Sequence, residues 1–416
     1  MKAFSRWILF ILLLPACLIG QTPADWQARY PFLQLEANHI QLPGGGERME
    51  RLLQRLDQLA FEGQGQLNIL HIGGSHVQAG TLSAAMRSGL QQLHPGLKGS
   101  RGFFFPFRLA GTNEPANYSI QASGSWEGFR CSVRNHEARW GLSGITAETD
   151  DASAEAHIDA FDGDSGRYTF KRIRIFHPAG PQYFHPVVAD SSHLPDSSFY
   201  DARGFTEFRF AHPQDHFHFR LSGDSTATEF IWQGVQYLDD LPGISYHAIG
   251  VNGASTESYL RCEDFAKQLQ AVAPDLVIFG IGINDAYGPA DAFDTAVFAR
   301  RYDSLMTAFE AANPEVVFLF MTNNDSYYRR RFPNPNALKV QQTMWQLAEK
   351  HHAAYWDLFT IMGGLGSIDA WLDKGLAKKD RIHLSREGYQ LQAALFTEAF
   401  AQHWLHHLRA TNTSEP

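Results

Sequence analysis

Leu67-Asn68-Ile69-Leu70-His71-Ile72-Gly73-Gly74-Ser75-His76 is a mostly apolar, strand-like run that enters a glycine turn and opens a helical stretch to about Leu93. The same alternation returns in the second half of the chain. Tyr246–Ile249 reads as a strand entering Gly250-Val251-Asn252-Gly253, followed by a helix carrying Tyr259, Phe265, Leu269 and Val272. Leu276–Ile281 and Val316–Met321 are further strands, with helices predicted over Ala292–Ala312 and Lys339–His351. Ala354–Leu358 is a last short strand, and Arg386–Leu408 a closing amphipathic helix. Apolar strands alternating with helices build a parallel sheet covered on both faces. The fold class is therefore α/β, carried by residues 65–100 and 242–410.

Residues 101–241 break that rhythm. Short alternating segments at Tyr168–Phe176, Phe205–Phe210 and His216–Leu221 are separated by turn clusters such as Asp162-Gly163-Asp164-Ser165-Gly166. They predict an inserted all-β domain, a sandwich. Upstream, residues 22–64 combine an irregular stretch broken by Pro23, Pro31 and Gly44-Gly45-Gly46 with a helix over Glu47–Phe61, whose Met49, Leu52, Leu53, Leu56, Leu59 and Ala60 share one face. Residues 411–416 read as a polar tail.

Residues 1–20 read as an export signal, with Lys2 and Arg6 ahead of the apolar core Trp7–Leu14 and cleavage after Gly20. The alternative address is a lipid anchor on Cys17, which leaves the protein tethered to the envelope. In an oxidising compartment Cys131 and Cys262 either pair or serve as two small buried apolar residues.

The 416 residues, 44% hydrophobic and 19% charged, are enough for two or three packed domains. A formal net charge of −9 argues against nucleic acid as a partner, because phosphate neutralisation needs a basic surface. One long apolar run excludes a multi-span membrane protein. No GxxxxGK[ST] loop, HExxH motif or CxxC pair is present, so nucleotide hydrolysis, zincin chemistry and thiol redox chemistry lack support, and no cofactor or metal is expected.

An open α/β sheet places its site outside the carboxyl ends of its strands. Four stretches lie at such ends or before the last helix: Gly73-Gly74-Ser75-His76, Gly250-Val251-Asn252-Gly253, Gly282-Ile283-Asn284-Asp285 and Asp380-Arg381-Ile382-His383. The Ser75 hydroxyl is a weak nucleophile that needs a base. His383 is suited to that task, and Asp380, three residues earlier, reaches its other ring nitrogen if the segment forms one helical turn. The backbone N–H groups of Ser75 and Gly253 and the side-chain amide of Asn284 are the candidate oxyanion donors.

These four blocks, in this order, resemble those of the SGNH/GDSL hydrolases. The resemblance implies a flavodoxin-like three-layer fold, the triad Ser75, Asp380 and His383, an oxyanion hole of Ser75, Gly253 and Asn284, and ester hydrolysis through an acyl-enzyme without a cofactor. Ile72-Gly73-Gly74-Ser75-His76-Val77-Gln78-Ala79 looks like the branch that includes bacterial peptidoglycan O-acetylesterases, which also has a carbohydrate-module-like β-rich insertion after the first block. One position departs: the family usually has Asp where this chain has Gly74.

The expected function is an exported serine esterase removing a small acyl group, acetyl, from a cell-envelope or extracellular polysaccharide such as peptidoglycan. The competing readings are a non-catalytic glycan-binding protein and a polysaccharide O-acyltransferase using the same triad. Elsewhere, His216 and His218 share one side of a strand but lack a third ligand. Trp126, Trp140 and Trp232 are expected in the sandwich core more than on sugar rings, and the pairs His351-His352 and His406-His407 on solvated surface. Arg329-Arg330-Arg331, beside Tyr327 and Tyr328, is a basic loop that suits an anionic glycan or a peptide carboxylate, with a solvated charge run as the default.

Overall fold

The computed structural model describes residues 23–162 and 166–413. The segment expected to be an export signal, Cys17, residues 163–165 and the last residues of the expected tail lie outside them. Five parallel strands form the central sheet: β1 (Gln66–Gly73), β2 (Gly243–Gly250), β3 (Leu276–Gly280), β4 (Val317–Met321) and β5 (Ala354–Trp356). Their spatial order is β2-β1-β3-β4-β5. This is the flavodoxin-like order, in which the chain reverses its winding between β1 and β3 and opens a crevice at their carboxyl ends. The register is continuous across that crevice, pairing Gly73 with Gly250 on one side and with Gly280 on the other. Three glycines in a row at the strand ends let the following loops approach one another closely.

Both sheet faces are buried, as parallel strands require. One face packs Leu67, Ile69, Ile278 and Leu319 under the helices Thr81–Gln92 and Arg386–Thr413 and under Glu47–Asp57, through Met49, Leu52, Leu53 and Leu56. The other packs Ile72, Val277, Phe279 and Phe318 under Phe265–Val272 and Thr295–Ala312. Among the described residues no helix is long and apolar enough to cross a membrane.

The segment between β1 and β2 forms antiparallel sheets. One five-stranded sheet contains Ser197–Asp201, Phe205–Gln214, Phe170–Phe176, Gly234–Leu238 and Gly102–Phe104; a second contains Tyr118–Ala122, Glu155–Asp162, His216–Ser222 and His185–Val188, with Gly166–Arg167 paired to Glu155–Asp162. Their inner faces meet through aromatic pairs, Phe208 with Phe217 at 4.9 Å and Phe104 with Tyr118 at 5.0 Å between ring centres, so the β segment is a sandwich. Trp140 and Trp232 are buried in its core and the half-buried Trp126 packs on Trp232, as expected of core residues.

Several local readings change. The helix after Ser75 is two pieces, Ser75–Gln78 and Thr81–Gln92, because Gly80 takes a left-handed conformation (φ 78°) where any Cβ would run into Pro115. The last helix continues to Thr413, through part of the expected tail. His407 is not solvated surface: it is buried, with its ring nitrogens 2.8 Å from Glu50 and 3.0 Å from Asp57, and so ties the last helix to Glu47–Asp57. Helical periodicity places a residue on a face but does not show whether another helix covers it. Cys131 and Cys262 are buried free thiols, unbridged.

Candidate active site

Ser75 begins the short helix directly after β1, with Gly74 as its cap. Its Oγ lies 2.8 Å from Nε2 of His383, whose Nδ1 lies 2.8 Å from Oδ2 of Asp380. The other Asp380 oxygen accepts the backbone N–H groups of Ile382 (3.0 Å) and His383 (2.9 Å). Burial pushes the Asp380 carboxyl up, but these hydrogen bonds from His383 and Ile382 outweigh it and hold the group well below the usual carboxylate range. An ionised Asp380 accepts the hydrogen bond of Nδ1–H, which leaves Nε2 unprotonated to accept the Ser75 hydroxyl.

Asp380 does not reach His383 across a helical turn. Residues 380–383 form an irregular turn in which Arg381 is left-handed (φ 54°). The turn is held from outside: Arg381 pairs with Asp369 at 2.6 Å, and its carbonyl accepts the N–H of Tyr327 at 2.8 Å. Asn324 donates to the carbonyl of Ile382 at 2.9 Å.

Ser75, Gly253, Asn284 and His383 line one cleft of about 590 Å³. Gly253 sits at φ 79°, a conformation that costs a residue with a Cβ roughly 1–2 kcal/mol, and this is the physical reason for a glycine there. One N–H of the Asn284 amide donates to the carbonyl of Ala254 at 2.8 Å, which fixes the amide plane and leaves its second N–H for the cleft. Gly74 has negative φ (−103°), so its backbone accepts a side chain, but a Cβ there would sit 3.1 Å from the Asn284 amide nitrogen. The Asp usual in the resembling family would press on that amide.

The loops are braced against each other. The Asp285 carboxyl accepts both 3.1 Å bonds from the Thr256 N–H, linking the Asn284 block to the helix after Gly253; burial pushes its pKa up. Tyr259 donates to the carbonyl of Gly73 at 2.7 Å. Asp285 therefore joins two blocks.

Sequence reasoning missed three groups. His76 is buried beside the site, its ring 5.1 Å from that of His383 and its Nδ1 bonded to Tyr389 at 2.8 Å. Burial, and then the His383 charge, lower its pKa to about 3, so it stays neutral. Gln78 accepts from the Asn252 N–H at 2.6 Å and donates to Thr112 and to the Asn113 carbonyl, both at 3.0 Å. Ser132 donates to the Asn252 carbonyl at 2.7 Å. Asn113 and Ser132 belong to the segment between β1 and β2, and Asn113 lines the cleft. The Gln78 of the first block was the one available signal, but its partners are distant in sequence. His216 and His218 do not share a ligand: His218 bonds Glu155 at 3.0 Å, while His216 meets Asp190 and His193, their ligand atoms within 4.8 Å of one another.

No curated protein matches the chain in sequence. A solved peptidoglycan O-acetylesterase superposes with a TM-score of 0.70 at 21% identity, covering 89% of this chain and 99% of that one. An acetyl xylan esterase gives a TM-score of 0.31 at 19% identity, covering 38% and 81%, and a GDSL-like lipase from Bacteroides thetaiotaomicron gives 0.30 at 19%, covering 38% and 76%. The first of these likenesses is one of fold across nearly the whole chain, β sandwich included. The family model for GDSL-like lipases/acylhydrolases matches residues 222–391, a stretch that contains Gly253, Asn284, Asp380 and His383 and lies beyond the Ser75 block. Over residues 222–391 the chain is thus similar to the GDSL-like lipase/acylhydrolase family.

Proposed function

We propose that the chain is an exported esterase that removes acetyl groups from a cell-envelope or extracellular polysaccharide, with Ser75 as nucleophile. The observation that carries this reading is the unbroken chain Ser75–His383–Asp380, at 2.8 Å for each link, opening into a cleft that also presents Gly253 and Asn284. Ser75 Oγ attacks the ester carbonyl carbon while His383 Nε2 takes its proton. The oxygen that becomes negative is held by the N–H groups of Ser75 and Gly253 and by the Asn284 amide. The tetrahedral species collapses, the carbon–alkoxide bond breaks, and His383 returns the proton to the departing sugar hydroxyl. Water, deprotonated by His383, then releases acetate from Ser75. A complete proton-transfer chain favours catalysis over a purely glycan-binding role, even with Gly74 in place of Asp.

The acetyl group and the polysaccharide are suggested by the resemblance of the first block and by the peptidoglycan O-acetylesterase of the same fold. Lys2, Arg6 and the apolar run Trp7–Leu14 support export. The test is hydrolysis of p-nitrophenyl acetate, butyrate and octanoate by the mature chain beside Ser75→Ala. Selective acetate release that falls by at least about 10³-fold in the variant is expected. Undiminished turnover by Ser75→Ala would remove Ser75 from the mechanism.

A further inference from the structure

We infer that the glycan this site deacylates is anionic, its carboxylates gripped by a cationic rim made of Arg329, Arg330, Arg331 and Lys378. The inference rests on the esterase reading above and adds the charge class of its substrate.

Tyr327–Tyr328 and Phe332–Pro333 pair as a small antiparallel hairpin whose turn is closed by the Arg331 N–H donating to the Tyr328 carbonyl at 3.2 Å. Both central residues of that turn, Arg329 and Arg330, are left-handed, at φ 53° and 60°. Glycine, asparagine or aspartate normally fills such positions, because a side chain with an ordinary Cβ is strained there. Two arginines in that conformation present guanidinium groups at a hairpin tip at a cost in local stability.

The hairpin is fastened to the cleft. The Arg329 N–H donates to the Tyr287 hydroxyl oxygen at 3.1 Å, and the Tyr287 ring meets that of Tyr328 edge-on at 5.2 Å. Tyr287 and Lys378 both line the cleft that holds Ser75 and His383. At its base the hairpin bonds the Arg381 carbonyl through the Tyr327 N–H, so the arginines and the His383 turn are held in one frame.

Among the described residues no carboxylate neutralises these cations. Asp369, the carboxylate at the hairpin base, is already taken by Arg381 and by the Tyr327 hydroxyl, each at 2.6 Å. Among the described residues none of Arg329, Arg330, Arg331 and Lys378 has a carboxylate partner within 4.0 Å, and all four are exposed. Four unpaired cations beside a cleft in a chain of net charge −9 form a local field opposite to that of the whole molecule. A neutral acetylated glycan offers them no opposite charge. A glycan with carboxylates meets planar guanidinium groups that bind carboxylates with two parallel hydrogen bonds.

The experiment uses O-acetylated peptidoglycan fragments in two forms, with carboxylates free and with the same carboxylates amidated, beside p-nitrophenyl acetate. The expected result is a kcat/KM at least about tenfold higher on the free-acid form, carried by KM and falling with added salt. The combined variant Arg329→Ala, Arg330→Ala, Arg331→Ala should bring the acid-to-amide ratio towards one, and the charge-keeping Arg330→Lys, Arg331→Lys should retain most of it. Equal turnover of the two forms by the unaltered protein overturns the inference. So does turnover of neither while p-nitrophenyl acetate is still cleaved, an outcome that leaves the esterase standing. A Ser75-independent cleavage of p-nitrophenyl acetate overturns the esterase reading itself.

Discussion

At the scale of single residues, the site depends on one carboxylate doing two tasks. One Asp380 oxygen faces the His383 ring and the other accepts two backbone N–H groups of the same turn, so the group that sets the tautomer also shapes the loop. Its pKa is depressed in the fold, so its contribution is present above the ordinary carboxylate range and is lost only as pH falls through the lowered value. Asp380 therefore stays ionised throughout mildly acidic conditions. Asp380→Asn preserves the shape but offers an amide where Nδ1–H needs an acceptor. It is expected to lower kcat by about 10³–10⁴ with a much smaller change in KM, read from p-nitrophenyl acetate kinetics. An equal loss in Asn and Ala variants through raised KM would contradict the orienting role. His76 completes the picture: kept neutral by burial, it packs on the His383 ring without adding a charge that would oppose protonation there. The roles of Ser75, Gly253, Asn284 and His383 could be proposed because four short blocks occur together and in order, although each alone is most often a turn or a cap. His76 carried no such mark, since a buried histidine and a surface histidine look alike in a sequence.

At the scale of elements, hydrophobic period decided most strands to within a residue or two. Leu276–Ile281 was expected and Leu276–Gly280 is found; Val316–Met321 becomes Val317–Met321. Helix interruptions were less legible. The stretch from Tyr259 to Val272 is two helices, Thr256–Leu260 and Phe265–Val272, because the intervening Arg261–Asp264 segment is used to hold the β sandwich. The small sheet of Glu127–Arg130, Ile145–Thr149 and Phe230–Trp232 has its own liability. Glu148 pairs with Glu127 across one edge and with Ile231 across the other. Burial, then the charges of Glu229 and Glu127, push its pKa up to about 7. Because the folded value lies above the unfolded one, the protonated form is favoured in the fold: the stabilisation is complete below the ordinary glutamate pKa and is lost as pH rises to about 7. Half exposure screens the cost to roughly 1 kcal/mol. Glu148→Gln should raise Tm by about 2 °C at pH 8 and leave it nearly unchanged at pH 4.5, measured by calorimetry. A gain of equal size at both pH values would assign the effect to packing instead.

At the scale of the whole molecule, the β sandwich and the α/β unit share one core. Cys131, Trp140, Leu142 and Ile145 are continuous with Val251, Tyr259, Cys262, Phe265 and Phe279 in a single buried cluster. Arg261 reinforces the seam, donating to the carbonyls of Cys131 (2.8 Å), Val133 (3.0 Å) and His136 (2.7 Å) while lying over the Trp140 ring at 4.9 Å. Arg139 answers from the other side with a two-bond pair to Asp264, at 2.6 and 3.0 Å. A shared core with few separable contacts should unfold as one body, with matching calorimetric and van't Hoff enthalpies. Arg261→Ala, which strands three carbonyls, should lower stability by about 1–3 kcal/mol and move that single transition without splitting it. Two resolved transitions in the unaltered protein would show the sandwich to be independent.

The sequence by itself determined the α/β class, the all-β character of the segment between β1 and β2, and the four blocks from which a site can be built. These are local properties: apolar period, turn residues and side-chain chemistry act over a few positions and need no knowledge of distant partners. Tertiary structure alone decided that His383 reaches Ser75 across 308 positions, through an irregular turn held by Asp369 and Tyr327 rather than a helical one. It also decided that Asn113 and Ser132 of the sandwich brace the Asn252 loop, that His407 is interior, and that the arginine hairpin leans on the cleft through Tyr287. Each of these depends on which long-range surface covers which residue, and that is settled by packing and hydrogen-bond satisfaction once the chain has closed on itself.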